Sequence, residues 1–181
     1  MRTYLRALAL DDYRLINIWR NDPEITRLIM GRRFFVSPER ERKWVEEKTL
    51  DNSSEIYWAI CLSETHEMIG YISLNNINLV NRTADWGGIV IGERKHRSLD
   101  KSLDAVFQML DYAFGELGLK KVSGAYLEEH KASRLLCIIM GFVQEGLLRS
   151  HVFKGGSFHS VIVVSILDDE FQRVREKYLK K

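Results

Sequence analysis

Cysteine is scarce in this chain. Only Cys61 and Cys137 occur in 181 residues, which excludes a disulfide framework and a cysteine-built zinc site. Proline is as sparse, with Pro23 and Pro38 alone, and no stretch has the composition of a linker, a repeat or a low-complexity segment. Surplus charge of one sign is missing too: 27 basic against 25 acidic residues give a net charge of +2. That excludes nucleic-acid binding by bulk electrostatics, though not by a local patch. No apolar run approaches the ~18 residues of a membrane span. The first residues, MRTYLRALALDD, lack the pattern of a cleavable signal. His66, His96, His130, His151 and His159 show no metal-ligand spacing. The expectation is a cytoplasmic protein that engages neither nucleic acid, membrane nor metal.

What is present suits a globular chain: 45% hydrophobic and 29% charged residues, enough length for a sizeable core, and residues 1–181 reading as one domain. Thr3 to Leu8 alternates as a strand. Asp11 and Asp12 can cap a helix carrying Leu15, Ile16 and Trp19, which stops before Pro23. Ser37 as N-cap, Pro38 at the first position, and Glu39 and Glu41 near the dipole's positive end start a second helix, with Trp44 and Val45 inward. Ile56–Leu62, Met68–Leu74 and Asp85–Ile91 read as a meander. Gly87 and Gly88 inside the third strand signal a bulge or a close approach by another backbone or ligand.

From Ser98 to Leu117 the apolar period becomes helical, and Gly118 closes the helix. Lys121–Leu127 is a short strand and Ala132–Met140 a short helix. Val143–Phe153 and Phe158–Ile166 form a hairpin across Gly155-Gly156, and the charged tail from Asp168 to Lys181 is expected as a surface helix or frayed. The element order is α+β.

Several strings on those elements carry a resemblance: WRND at Trp19–Asp22, IGYISL at Ile69–Leu74, and IGERKHRSLDKSLDAV at Ile91–Val106. YAFGELGLKKV at Tyr112–Val122, HKASRLLCIIMGF at His130–Phe142 and EGLLR at Glu145–Arg149 continue it. In order and spacing the chain resembles the GNAT superfamily of acyl-CoA-dependent N-acetyltransferases. It is most similar to the branch that holds ribosomal-protein, spermidine and amino-sugar acetyltransferases. The fold implied is a mixed, mostly antiparallel twisted sheet with helices on both faces.

The resemblance implies that the turn opening the long helix receives the pyrophosphate of acetyl-CoA on backbone N–H groups and the helix dipole. Family members carry Arg or Gln, two variable residues, Gly, one variable residue, then Gly or Ala. Here Lys95, His96, Arg97, Ser98, Leu99 and Asp100 stand there, with Ser98 and Asp100 at the small positions and Lys101 next. Arg94, Lys95, Arg97 and Lys101 suit an anion. The alternative is a turn that satisfies itself, with Ser98 as an ordinary cap and Asp100 as dipole partner. The bulged strand, through Ile89, Val90 and Ile91, is implied to pair its backbone with the pantetheine arm and to offer an N–H to the thioester oxygen. His130 stands where relatives carry a cofactor-binding Asn.

Three catalytic candidates follow from the same resemblance. Cys137 stands where relatives carry the Tyr that protonates the leaving thiolate. A thiol of ordinary pKa ~8.5 can donate a proton, while packing between Leu136 and Ile138 is the alternative. Ser133 matches a hydroxyl placed to hydrogen-bond the thioester sulfur, the alternative being a bond to its own helix turn. Asp85 is the candidate base, or a solvated strand-end acid, with Glu55 a second of its kind. The function implied is acetyl transfer from acetyl-CoA to a primary amine by direct attack. The acceptor is a small molecule or a peptide: a polyamine, an amino sugar or a protein N-terminus. The lack of an acidic cluster speaks against a strongly cationic acceptor. An inactive member serving as a ligand-binding or protein-interaction module is the alternative, and a homodimer through the terminal strands is compatible with both.

Overall fold

The computed structural model describes residues 2–31 and 35–180. Strand β1 (Thr3–Ala7) passes through a single 3-10 turn at Leu10–Asp12 into helix α1 (Tyr13–Asn21), which buries Ile16 and Trp19 as expected. Asp12 does not cap that helix through its side chain. Its carboxylate accepts from the Ala9 N–H at 2.8 Å and pairs with Arg6 at 2.7 Å. Pro23 ends α1 and immediately opens a helix that the sequence reading lacked, α2 (Pro23–Thr26), capped by Asp22, whose carboxylate accepts from the Glu24 N–H at 2.8 Å. Helix α3 (Pro38–Leu50) starts as expected, the Ser37 hydroxyl accepting from the Arg40 N–H at 3.2 Å.

Strands β2 (Ile56–Leu62), β3 (Met68–Asn78) and β4 (Thr83–Ile91) form the meander. Strand β3 runs past the expected Leu74 because its end pairs with the start of β4, Asn78 opposite Thr83. Helix α4 (Leu99–Gly115) precedes β5 (Lys121–Leu127), α5 (Lys131–Ile139), the hairpin β6 (Val143–Lys154) and β7 (Ser157–Leu167), and α6 (Asp168–Leu179). The seven-stranded sheet has the order β1-β2-β3-β4-β5-β7-β6, and only the β4–β5 pair is parallel.

Period two along β2 divides the interior. Ile60 and Leu62 join the core under α4, α5 and α6, while Ala59 and Cys61 join a second core under α1 and α3. Helices therefore cover both faces. Of the two expectations for the charged tail the helix holds: α6 is a surface helix, anchored rather than frayed. Phe171 is fully buried, 5.5 Å from the Phe107 ring and 5.3 Å from that of Phe114. Tyr178 stacks on Phe107 at 4.0 Å and donates to Asp104 at 2.7 Å. Aromatics at i and i+7 anchor one face of α6 while its charges face solvent; Lys181 lies outside the described residues.

Candidate active site at the split between two strands

Strands β4 and β5 pair only from Thr83 to Asp85, opposite Lys121 to Ser123, and then part. The cause lies in β4. Between the pairs Leu74–Trp86 and Ile72–Ile89 it carries one residue more than β3, the expected bulge at Gly87-Gly88. Gly88 has φ +100°, a conformation closed to most side chains. The Trp86 side chain fills the wedge, against Phe142 (5.7 Å) and the Cα of Gly124, while β5 pairs onward with β7. The β5-facing edge of β4 is thus left without a strand partner beyond Asp85, among the described residues.

Two clefts, of about 490 and 380 Å³, open along this split. They share Leu28, Ile29, Ile89, Val90, His130 and Ser133, and so form one groove through the sheet. Of the expected cofactor residues, Ile89, Val90, Ile91, Arg97, Ser98, Leu99 and His130 line the smaller cleft. Lys95 and His96 do not. Lys95 pairs with Glu67 at 3.0 Å and His96 lies 3.8 Å from the same carboxylate, away from the cleft wall. Asp100 and Lys101 flank the cleft, with Lys101 Nζ 3.5 Å from the Ser98 hydroxyl.

The residues present fit an extended acyl-CoA thioester. Ser98 holds the N-cap backbone conformation (φ −137°, ψ 154°) but its side chain makes no capping bond, so the self-satisfied turn considered from sequence holds only in its Asp100 part, whose carboxylate takes first-turn N–H groups. The N-terminus of a 17-residue helix therefore faces the cleft beside Arg97 and Lys101. Arg97 donates to the Ile91 and Gly92 carbonyls, each at 3.1 Å, and faces Asp22 and Glu24 at 3.6 and 3.7 Å. Its guanidinium braces the end of β4 against the turn. Glu24 on the cleft wall and Asp100 on the first turn both oppose an anion. The Asp100 carboxylate, held below its ordinary range by the Ser98 hydroxyl and by the Asp100 and Lys101 N–H groups, competes for first-turn donors.

The catalytic candidates separate. Ser133 lines both clefts, and among the described residues its hydroxyl takes no partner, so it is not bonded back to its own helix. The His130 Nδ1 accepts from the Ser133 N–H at 3.2 Å, capping α5 and leaving Nε2 as the N–H of the neutral ring. Burial holds that imidazole below its ordinary pKa of 6.5. Cys137 points into the main core. Burial pushes its thiol up to about 12, and it forms no part of either cleft wall, so packing explains it. Asp85 also stands off the wall, accepting from Asn76 Nδ2 at 2.8 Å. Glu55 is ion-paired with Lys48.

Sequence reasoning missed most of the larger cleft. Glu41, read only as a dipole partner, is fully buried, and its Oε1 meets Arg20 Nη1 at 2.9 Å. Burial pushes the Glu41 carboxyl up, partly offset by Arg20. The Arg20 guanidinium lies 3.7 Å over the Trp44 ring, and its Nε donates to the Tyr71 hydroxyl at 3.4 Å. Tyr57 meets Trp44 edge-on at 4.9 Å, and Tyr126 stands across the split, its phenol pushed up by burial. The available signal was the i, i+3 spacing of Glu41 and Trp44 on one helical face, together with Arg20 in WRND.

Comparison with known proteins bears on the whole of this arrangement. Residues 2–143 match the acetyltransferase (GNAT) domain. The uncharacterised N-acetyltransferase YoaA of Bacillus subtilis is 29% identical over 112 residues, 62% of each chain. An uncharacterised N-acetyltransferase of Bacillus licheniformis is 28% identical over 172 residues, 94% of this chain and 95% of its own. The structure of spermidine N-acetyltransferase from Vibrio cholerae, in complex with CoA and spermine, superposes with a TM-score of 0.86 at 25% identity, over 94% of this chain and 98% of that one. Split sheet, groove and matched domain agree, and the chain belongs to the GNAT acetyltransferase family.

Proposed function

We propose that this chain transfers an acetyl group from acetyl-CoA to the primary amine of a small molecule, by direct attack within the groove. The observation that carries this reading is the meeting of two clefts at Ile89, Val90, His130 and Ser133, one with a helix N-terminus and the other with aromatic walls. A thioester bound in the smaller cleft would supply an activated acetyl group. The unpaired edge of β4 offers backbone N–H to the thioester oxygen, a contact independent of side-chain identity. The Ser133 hydroxyl donates toward the leaving sulfur, and the His130 Nε2–H adds a second donor beside it. Glu41 is fully buried with Oε1 on Arg20, and the amine sheds its proton to solvent.

The test is thiol release from acetyl-CoA across a panel of amines. Release that requires an amine and falls about 100-fold in Ser133→Ala supports the reading. Release indifferent to amine, or absent with every amine, contradicts it. Asp100 on the first turn and Cys137 in the core favour a second reading, a member that binds and does not catalyse. Acetyl-CoA binding without thiol release would select it.

A further inference from the structure

When the C–S bond of a thioester breaks, its electron pair goes to sulfur, and the thiolate takes up a proton to leave as a thiol. Ser133 and His130 do not supply that proton. An alcohol and a neutral imidazole are weaker acids than a thiol, so both give the sulfur a hydrogen bond and keep their hydrogens. Burial holds His130 below 6.5, so its ring is neutral at pH 7. An effective donor has an acidity near that of the thiol, whose ordinary pKa is about 8.5.

Among the described residues, the walls of the two clefts hold few such groups. Arginine does not deprotonate. Glu24 faces Arg97 at 3.7 Å, and Glu41 is fully buried against Arg20. Three phenols remain, all on the larger cleft. Tyr57 and Tyr71 stand on β2 and β3, away from the split, and the Tyr71 hydroxyl already accepts from Arg20 Nε at 3.4 Å.

Tyr126 stands on the split itself. Carried on from the pair Asp85–Ser123, the parallel register sets it across from Gly88, where β4 bulges and its edge is open. It shares the main core with Leu136 and Cys137 of α5, and Ser133 precedes these by three and four residues, on the same helix face. The phenol and the serine hydroxyl therefore flank the same end of the larger cleft. Tyr126 is 8% exposed, and its hydroxyl is open to solvent and without a hydrogen-bond partner among the described residues. Burial and then Cys137 push the phenol up while Arg134 opposes them, so the form present at neutral pH is the one that carries the proton.

Resting on the acetyl-transfer reading above, we infer that Tyr126 is the proton donor to the leaving thiolate. The amine nitrogen bonds to the acetyl carbon, the C–S bond breaks with its electron pair on sulfur, and the Tyr126 O–H proton passes to that sulfur. The amine's proton goes to solvent, and solvent returns one to the phenolate. Ser133 holds the sulfur in place for this transfer.

Tyr126→Phe keeps the ring in the core and removes only the hydroxyl. Steady-state thiol release and calorimetric titration with coenzyme A and desulfo-coenzyme A read the change. The variant is expected to lose kcat about 30-fold, with KM for acetyl-CoA and for the amine within about 3-fold and Tm unchanged. It is expected to bind coenzyme A about 5-fold more weakly and desulfo-coenzyme A as the wild type does, since only the former brings a sulfur to the phenol. A kcat within about 3-fold of the wild type overturns the inference. So does a coenzyme A affinity that is unchanged, or that falls together with that of the desulfo analogue and so marks a merely structural role. Absence of thiol release by the wild type with every amine would instead sink the acetyl-transfer reading, while the paired titrations still judge whether Tyr126 meets the sulfur.

Discussion

Side chains make up the wall of the larger cleft, whereas backbone makes up most of what the smaller cleft offers. In the larger cleft, Arg20, Glu41, Trp44 and Trp86 define shape and polarity, so each replacement alters what fits. In the smaller cleft, the edge of β4 left without a strand partner and the first turn of α4 present backbone N–H groups, two of the latter shared with the Asp100 carboxylate. The difference explains how Ser98, Asp100 and Cys137 can depart from the family's pattern without removing the groove. On the acetyl-transfer reading proposed above, it also explains why the same departures leave the acceptor unnamed: the side chains of the larger cleft lie elsewhere, on α1, α3 and β4.

Ser133 belongs to both clefts, and its removal gives the largest expected effect. Ser133→Ala lowers kcat about 100-fold or more, with little change in either KM, measured by steady-state thiol release. Arg97→Glu sharpens the contrast by damaging only the cofactor side. It raises the Kd for coenzyme A about 10-fold by calorimetry, while an acceptor's Kd is unchanged. Asp100→Ala acts oppositely at the same turn. It frees first-turn N–H groups and removes a like charge, tightening coenzyme A about 2- to 5-fold, and it costs about 0.3–1 kcal/mol of thermal stability through the lost dipole partner.

A pH series separates His130 from both walls. Because its folded pKa lies below the ordinary 6.5, the unfolded chain takes up a proton that the folded chain resists. Its contribution to stability is complete above 6.5 and is lost as pH falls below that value. Chemical denaturation between pH 7 and 5 is expected to show a shallower slope for His130→Asn than for the wild type. Cys137→Ala is the smallest effect on chemistry, leaving kcat within about 2-fold while lowering Tm, since it removes packing and no proton donor.

Most of the fold was legible because its elements announce themselves locally. The alternation of Lys121–Leu127 gave β5 to the residue, and Gly155-Gly156 marked its hairpin. Helix α2 was not legible, since four residues carry no period and Pro23 signals a stop as readily as a start. The charges of the tail hid Phe171 and Tyr178, whose burial depends on a distant partner, Phe107 on α4. In the site, the turn from Arg97 to Lys101 followed from family spacing, but the turning of Lys95 and His96 toward Glu67 is tertiary and leaves no trace in spacing. Glu41 is the sharpest case. A glutamate in a helix's first turn reads the same whether solvated or buried, and only Arg20, 21 residues away in the chain, reveals which.

The central claim is that the groove still receives acetyl-CoA through backbone despite the altered turn. Calorimetric titration of the wild type and Arg97→Glu with acetyl-CoA tests it most directly. Micromolar, one-to-one binding by the wild type, weakened about 10-fold in the variant, is the predicted result. No heat and no thermal stabilisation at millimolar acetyl-CoA would contradict it.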